Sequence, residues 1–175
     1  VIRGLTPMEC VSLFHKESSY LFDKAKESFI ATKKNILLDM TCANLEKTEN
    51  RINQIKNGGY KGKDIIMIGI KTDFNVAKTR TISRHKEGLN EYIEGKNNVG
   101  GRFVPQGVLN SSKPRTGFID PDGTDRRKYP EDCFTTNEQV YELIVKNKQI
   151  GIKGIMYDNS VVGKQPERIP EKTFL

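Results

Sequence analysis

The sequence predicts an α/β domain organised on a parallel sheet, and three stretches carry that prediction. Asn35-Ile36-Leu37-Leu38-Asp39-Met40-Thr41 is a short, almost wholly apolar run that ends in a carboxylate and then a hydroxyl. A run of this kind reads as a strand buried on both faces. Ile65-Ile66-Met67-Ile68-Gly69-Ile70 is a second run of the same type. Between them, Asn44 can cap a helix that runs to about Lys56, with Leu45, Ile52 and Ile55 inward and Gly58-Gly59 as its stop. Strand, helix and strand in this rhythm make a right-handed parallel unit. Ligands of open α/β sheets sit beyond the carboxyl ends of the strands, which places Asp39 and Thr41 at the expected binding edge.

The remaining elements follow from local signals. Thr6-Pro7-Met8-Glu9 is a helix start: Thr6 can cap, Pro7 suits the first helical position and Glu9 closes a capping box. Val11, Phe14, Leu21, Phe22, Ala25 and Phe29 then fall on one helical stripe, interrupted by Ser18 and flanked by Glu17. Lys33 and Lys34 suit a helix C-terminus. Asp73 is placed to cap a helix from about 74 to 93 that carries Arg80 and Arg84. Residues 95–101 read as a flexible break and 110–136 as a long surface excursion, with Pro121-Asp122-Gly123 as a turn. A helix is expected over 136–147 and a last strand from Ile152 to Tyr157, ending in Asp158-Asn159-Ser160.

The totals bound the function. The chain of 175 residues suits one domain with a real core. No apolar run is long enough to cross a bilayer, and no signal peptide is visible at the start. A start at Val1 rather than Met points to sequence upstream. The net charge of +7 suits phosphate-rich partners, although scattered lysines also make an ordinary solvated surface. Cys10, Cys42 and Cys133 form neither a disulfide framework nor a metal-spaced pair, which fits a reducing cytoplasm.

Among candidate functional residues, Asp39 and Thr41 suit metal holding or orientation of a substrate hydroxyl, or else a cap for the following segment. Arg80 and Arg84 share a helical face, and Arg102 follows a Gly pair. Arginine binds phosphate bidentately and stabilises charge in phosphoryl transfer, but ion pairing with Glu87 or Glu91 is the plainer reading. Glu17 alone reads as a boundary carboxylate. His15 and His85 lack partners for a triad or a metal site and read as surface or boundary residues. No Gly-x-x-x-x-Gly-Lys-Ser/Thr phosphate loop occurs in the 175 residues.

Taken together, the ordered set resembles the zeta-toxin family of P-loop kinases. The set is Glu17-Ser18-Ser19 on a helix, a strand ending Asp39-x-Thr41, a helix, Gly59-Tyr60 and a second strand. Thr81-Ile82-Ser83-Arg84, Gly100-Gly101-Arg102-Phe103-Val104-Pro105 and Met156-Tyr157-Asp158-Asn159-Ser160 follow. The resemblance runs from about residue 10 to 109, resumes near 150–160 and is poor over 110–149.

The resemblance implies a P-loop kinase-like three-layer sandwich with a parallel sheet. Residues 1–175 would be its C-terminal part, a single domain incomplete by itself, with 95–101 and 110–136 as flexible lid or surface insertions. It implies transfer of the γ-phosphate of ATP or GTP, with magnesium, to a hydroxyl of a small molecule such as UDP-N-acetylglucosamine. Arg84 and Arg102 match the arginines that contact nucleotide phosphates. Asp39 matches an acidic position suited to magnesium, and Glu17 and Thr41 match the substrate side. Asp39, Thr41, Arg84 and Arg102 are expected to face one cleft. Three departures stand out: the phosphate loop is missing, so is the aspartate general base, and Cys42-Ala43-Asn44 replaces a basic residue. An upstream segment or companion chain of about 60–90 residues, the usual size of such half-domains, would supply the first two. An antitoxin-like protein is a possible partner. The alternative is a scaffold that binds nucleotide or protein and has lost catalysis. A nucleic-acid-binding role lacks the aromatic interleaving of a single-strand platform.

Overall fold

The computed structural model describes residues 4–115 and 129–170. The turn expected at Pro121-Asp122-Gly123 and much of the 110–136 excursion lie outside them. The chain divides into two compact units, one of residues 1–36 and 77–109 and one of 37–76 and 110–175.

The first unit is helical. Its entry is α1 (Pro7–Cys10), where Thr6 and Glu9 form the expected capping box. The box holds the Glu9 carboxyl below its usual range, through hydrogen bonds from the Thr6 main chain and then its side chain. A 3-10 turn, Val11–Phe14, separates α1 from α2 (His15–Ala31), so the single stripe expected from Val11 to Phe29 is broken near its start. The stripe is also not the buried side. Val11, Phe14, Leu21, Phe22, Ala25 and Phe29 are exposed, whereas Lys26 and Ile30, one turn apart, are buried. A helical stripe is buried only where another element covers it fully, and most of this one stays exposed. Most of α4 (Phe74–Ile93) and the segment to 109, including the start of α5 (Gln106–Ser111), complete the unit.

The second unit is mixed α/β. Asn44 caps α3 (Leu45–Asn57) by accepting from the Lys47 N–H at 2.9 Å. Leu45 and Ile52 are buried, and Ile55 is half-buried. β1 (Ile66–Lys71) pairs in parallel with β2 (Lys153–Asp158), with Ile68 opposite Ile155. The short β3 (Glu167–Arg168) adds antiparallel to β2, so the order is β1-β2-β3. The strand expected at 35–40 does not form among the described residues: these residues have no ladder partner there and Leu37 is 93% exposed. An apolar run becomes a strand only when a neighbour takes its backbone hydrogen bonds.

One face of the sheet packs on α6 (Thr136–Lys146). Gly69 and Gly154 allow the close approach, since a Cβ at either would meet Tyr141 of α6 at under 3.0 Å. Val140 and Ile144 join Leu45, Ile52, Tyr129, Ile150 and Ile152 in one contiguous core. On the other face Ile66, Ile68 and Ile70 are exposed, and the register puts the half-buried Ile155 and Tyr157 beside two of them.

Candidate functional site

The five expected site residues fall in two units. Glu17, Arg84 and Arg102 belong to the first, and Asp39 and Thr41 to the second.

In the first unit, Glu17 is exposed in the opening turn of α2. Arg84 is exposed on α4 and Arg102 is exposed after Gly100-Gly101. Neither arginine forms an ion pair among the described residues, so the expected pairing with Glu87 or Glu91 is not made there. Glu91 instead accepts from the Asn97 amide at 3.4 Å. The segment before Arg102 is tied to its own unit. The Asn97 side chain accepts from the Val99 and Gly100 N–H groups at 2.7 and 3.1 Å, and the Met8 N–H donates to the Val99 carbonyl at 2.8 Å. His85 lies 3.1 Å from the Gly101 carbonyl. The residues next to Arg84 and Arg102 are therefore in direct contact.

In the second unit, Asp39 and Thr41 are exposed in an irregular stretch, not at a strand end. Three neighbouring groups hold this stretch. The Arg51 guanidinium reaches the Met40 sulfur at 3.1 Å, the Asn137 amide donates to the Thr41 carbonyl, and Cys42 packs against the core. Burial pushes the Cys42 thiol up, which suits a side chain that packs against the core.

The carboxyl ends of the two real strands carry a polar set of their own. Asp73 caps α4, accepting from the Asn75 and Val76 N–H groups at 2.8 and 3.0 Å, as its position predicts. Its N–H donates to Ser160 Oγ at 3.2 Å. Hydrogen bonds from the Ser160 side chain and then its main chain hold the Asp158 carboxyl below its usual range. Beside this set, Lys71 pairs with the buried Glu138 at 3.2 Å, while Glu138 accepts from the Phe134 N–H at 2.8 Å. Neither Lys71 nor Glu138 stands out in sequence, because the pair joins residues far apart in the chain.

A hollow of about 700 Å³ lies against α6 and β2, lined by Lys71, Glu138, Tyr141, Lys153 and Met156 among others. It contains none of the five expected residues, and its border residues Pro130 and Pro170 adjoin stretches outside the described set. No group of three or more His, Cys, Asp or Glu side chains gathers among the described residues to hold a metal by itself. Magnesium needs only one or two carboxylates when phosphate and water complete its shell, so the exposed Asp39 carboxylate fits as one ligand. Among the described residues no helix is long and apolar enough to cross a membrane.

No curated protein and no solved structure matches the chain. The family model described as Zeta toxin matches residues 2–113, well over half of the 175. The chain belongs to the zeta toxin family.

Proposed function

We propose that this chain is the C-terminal part of a P-loop kinase-like phosphotransferase that moves the γ-phosphate of ATP or GTP to a hydroxyl of a small molecule, such as a UDP-N-acetyl sugar. Family membership carries the coarser statement, a P-loop phosphotransferase-like function. One observation carries the finer reading. Arg84 and Arg102 are both exposed, make no ion pair among the described residues and flank the contact between His85 and Gly101. Guanidinium groups free of carboxylates suit phosphate oxygens, which they bind bidentately.

In this reading Arg84 and Arg102 bind the nucleotide phosphates and neutralise charge on the transferring group. Glu17 and Thr41 face the acceptor, and Asp39 supplies one ligand to magnesium. The bound ion would offset phosphate charge. A phosphate loop from an upstream segment or a companion chain completes the three-layer sheet. The edge of β1, which has no ladder partner among the described residues, supports an additional strand there, and the exposed Ile66, Ile68 and Ile70 support a helix covering that face. A cytoplasmic setting and an antitoxin-like partner belong to the same reading.

The test is transfer of labelled phosphate from ATP to UDP-N-acetylglucosamine with magnesium, by the chain alone and joined to its phosphate-loop segment. Arg102→Ala in the active form is expected to lower turnover by about 10³-fold and to leave acceptor affinity nearly unchanged. Equal losses in both would rule out its role in the transition state. The absence of a phosphate loop from the 175 residues favours a second reading, a catalytically inactive scaffold. Nucleotide binding without transfer in the joined form would select it.

A further inference from the structure

His85 sits on α4 directly after Arg84, and by sequence it has no partner. In the structure it meets both neighbours of Arg102. Its Nδ1 lies 3.1 Å from the Gly101 carbonyl oxygen, and its ring meets Phe103 edge-on, with centroids 5.4 Å apart and planes at 63°. A carbonyl only accepts, so Nδ1 carries the hydrogen of this bond. One half-buried imidazole thus holds the main chain before Arg102 and the side chain after it.

The backbone around this contact has little slack. A Cβ on Gly101 would run into the His85 carbonyl, and one on Gly88 would come within 2.6 Å of the Gly101 Cα. Gly100 has φ +84° and is seated against Thr6, where any side chain would be strained by conformation and by contact. The loop is therefore closed onto α4 at the point where the Arg102 side chain leaves it.

We propose that His85 is a positioning residue for Arg102: it sets where the guanidinium is presented, and so ties the two arginines to one helical frame. The proposal rests on the reading of Arg102 as a phosphate-binding group. It differs from a packing role in one consequence, since a positioning residue acts only through the group that it positions.

The test is binding of a fluorescent ATP analogue to the chain joined to its phosphate-loop segment, followed by anisotropy. Arg102→Ala is expected to weaken binding by about 10-fold or more, as for a lost charge-assisted contact. His85→Ala is expected to weaken it by about 5- to 10-fold, the scale of one hydrogen bond. His85→Asn, whose amide can still donate to the Gly101 carbonyl, restores most of the affinity. In the Arg102→Ala background His85→Ala costs nothing further, because coupled residues are not additive. Wild-type affinity in His85→Ala, or a loss that persists in full once Arg102 is gone, overturns the proposal while leaving the phosphate reading intact. Absent binding by the wild type, or an unchanged Arg102→Ala, overturns the phosphate reading and this role with it. Amide exchange across α4 shows whether His85→Ala folds. If it does not, Phe103→Leu removes the ring contact alone and is judged by the same non-additivity with Arg102→Ala.

Discussion

Two helices of this protein make an instructive pair. α6 and α2 both carry apolar residues at helical spacing and both follow a capped or tightly turned entry. α6 buries Val140, Tyr141 and Ile144 against the sheet and α3. α2 leaves Leu21, Phe22 and Phe29 exposed and buries Lys26 and Ile30 instead. The pattern in the chain states which side of a helix prefers to leave water. Whether it does so depends on what faces it. The lysine buried on α2 is tolerated because Asp23, one turn earlier, accepts from its ammonium at 2.8 Å. A buried charge needs such a partner.

The largest effect that would sharpen this contrast is in the core of the second unit. Ile144 is 0% exposed, and Ile144→Ala is expected to destabilise by about 2–5 kcal/mol, as for other large-to-small core changes. Leu21→Ala on α2 should stay within about 0.5 kcal/mol, as surface changes usually do. Urea unfolding of both variants checks the pair, and similar losses would mean that α2 is covered in solution.

Next comes the Lys71–Glu138 pair. Glu138→Ala strands the Lys71 ammonium and leaves the Phe134 N–H without its acceptor. Breaking a buried pair costs about 3–5 kcal/mol. The low end is expected, because Lys71 retains 23% side-chain exposure and lies over the Phe134 ring. Thermal melts at neutral pH should place Glu138→Gln, which still offers an oxygen to Phe134, between Glu138→Ala and the wild type.

The smallest effect is a pH dependence. Burial, with the nearby Glu138 and Glu142 carboxylates, pushes the Cys133 thiol up to about 11 from its ordinary value of 9.0. Below the ordinary value the thiol is neutral in both folded and unfolded chains and contributes no slope. Between that value and about 11 only the unfolded chain ionises, so stability falls as pH rises through this window. Melting temperature against pH should show a shallower alkaline decline in Cys133→Ala. Identical profiles would place Cys133 in water.

Much of the fold was legible because its signals are local. The caps at Thr6, Asn44 and Asp73 each depend on a side chain reaching a backbone group two or three residues on. The bounds of α3, β1, α4, α6 and β2 stand within about a residue of where spacing and stop residues put them. The family was legible as well, and its model matches residues 2–113, which hold most of the ordered set that resembles it.

By itself, then, the sequence determined the positions of α3, α4 and α6, the caps at Thr6, Asn44 and Asp73, the segments that become β1 and β2, and the family, since each of these depends on neighbours along the chain. Only the tertiary structure decided the rest. Residues 35–40 remain without a ladder among the described residues because a strand requires a partner that spacing cannot supply. The α2 stripe stays in water because amphipathicity expresses a preference without providing a cover. Lys71 finds Glu138 across 67 positions, and His85 finds Gly101 across 16. Contacts at that separation are set by how the chain folds back on itself, and no local pattern records them.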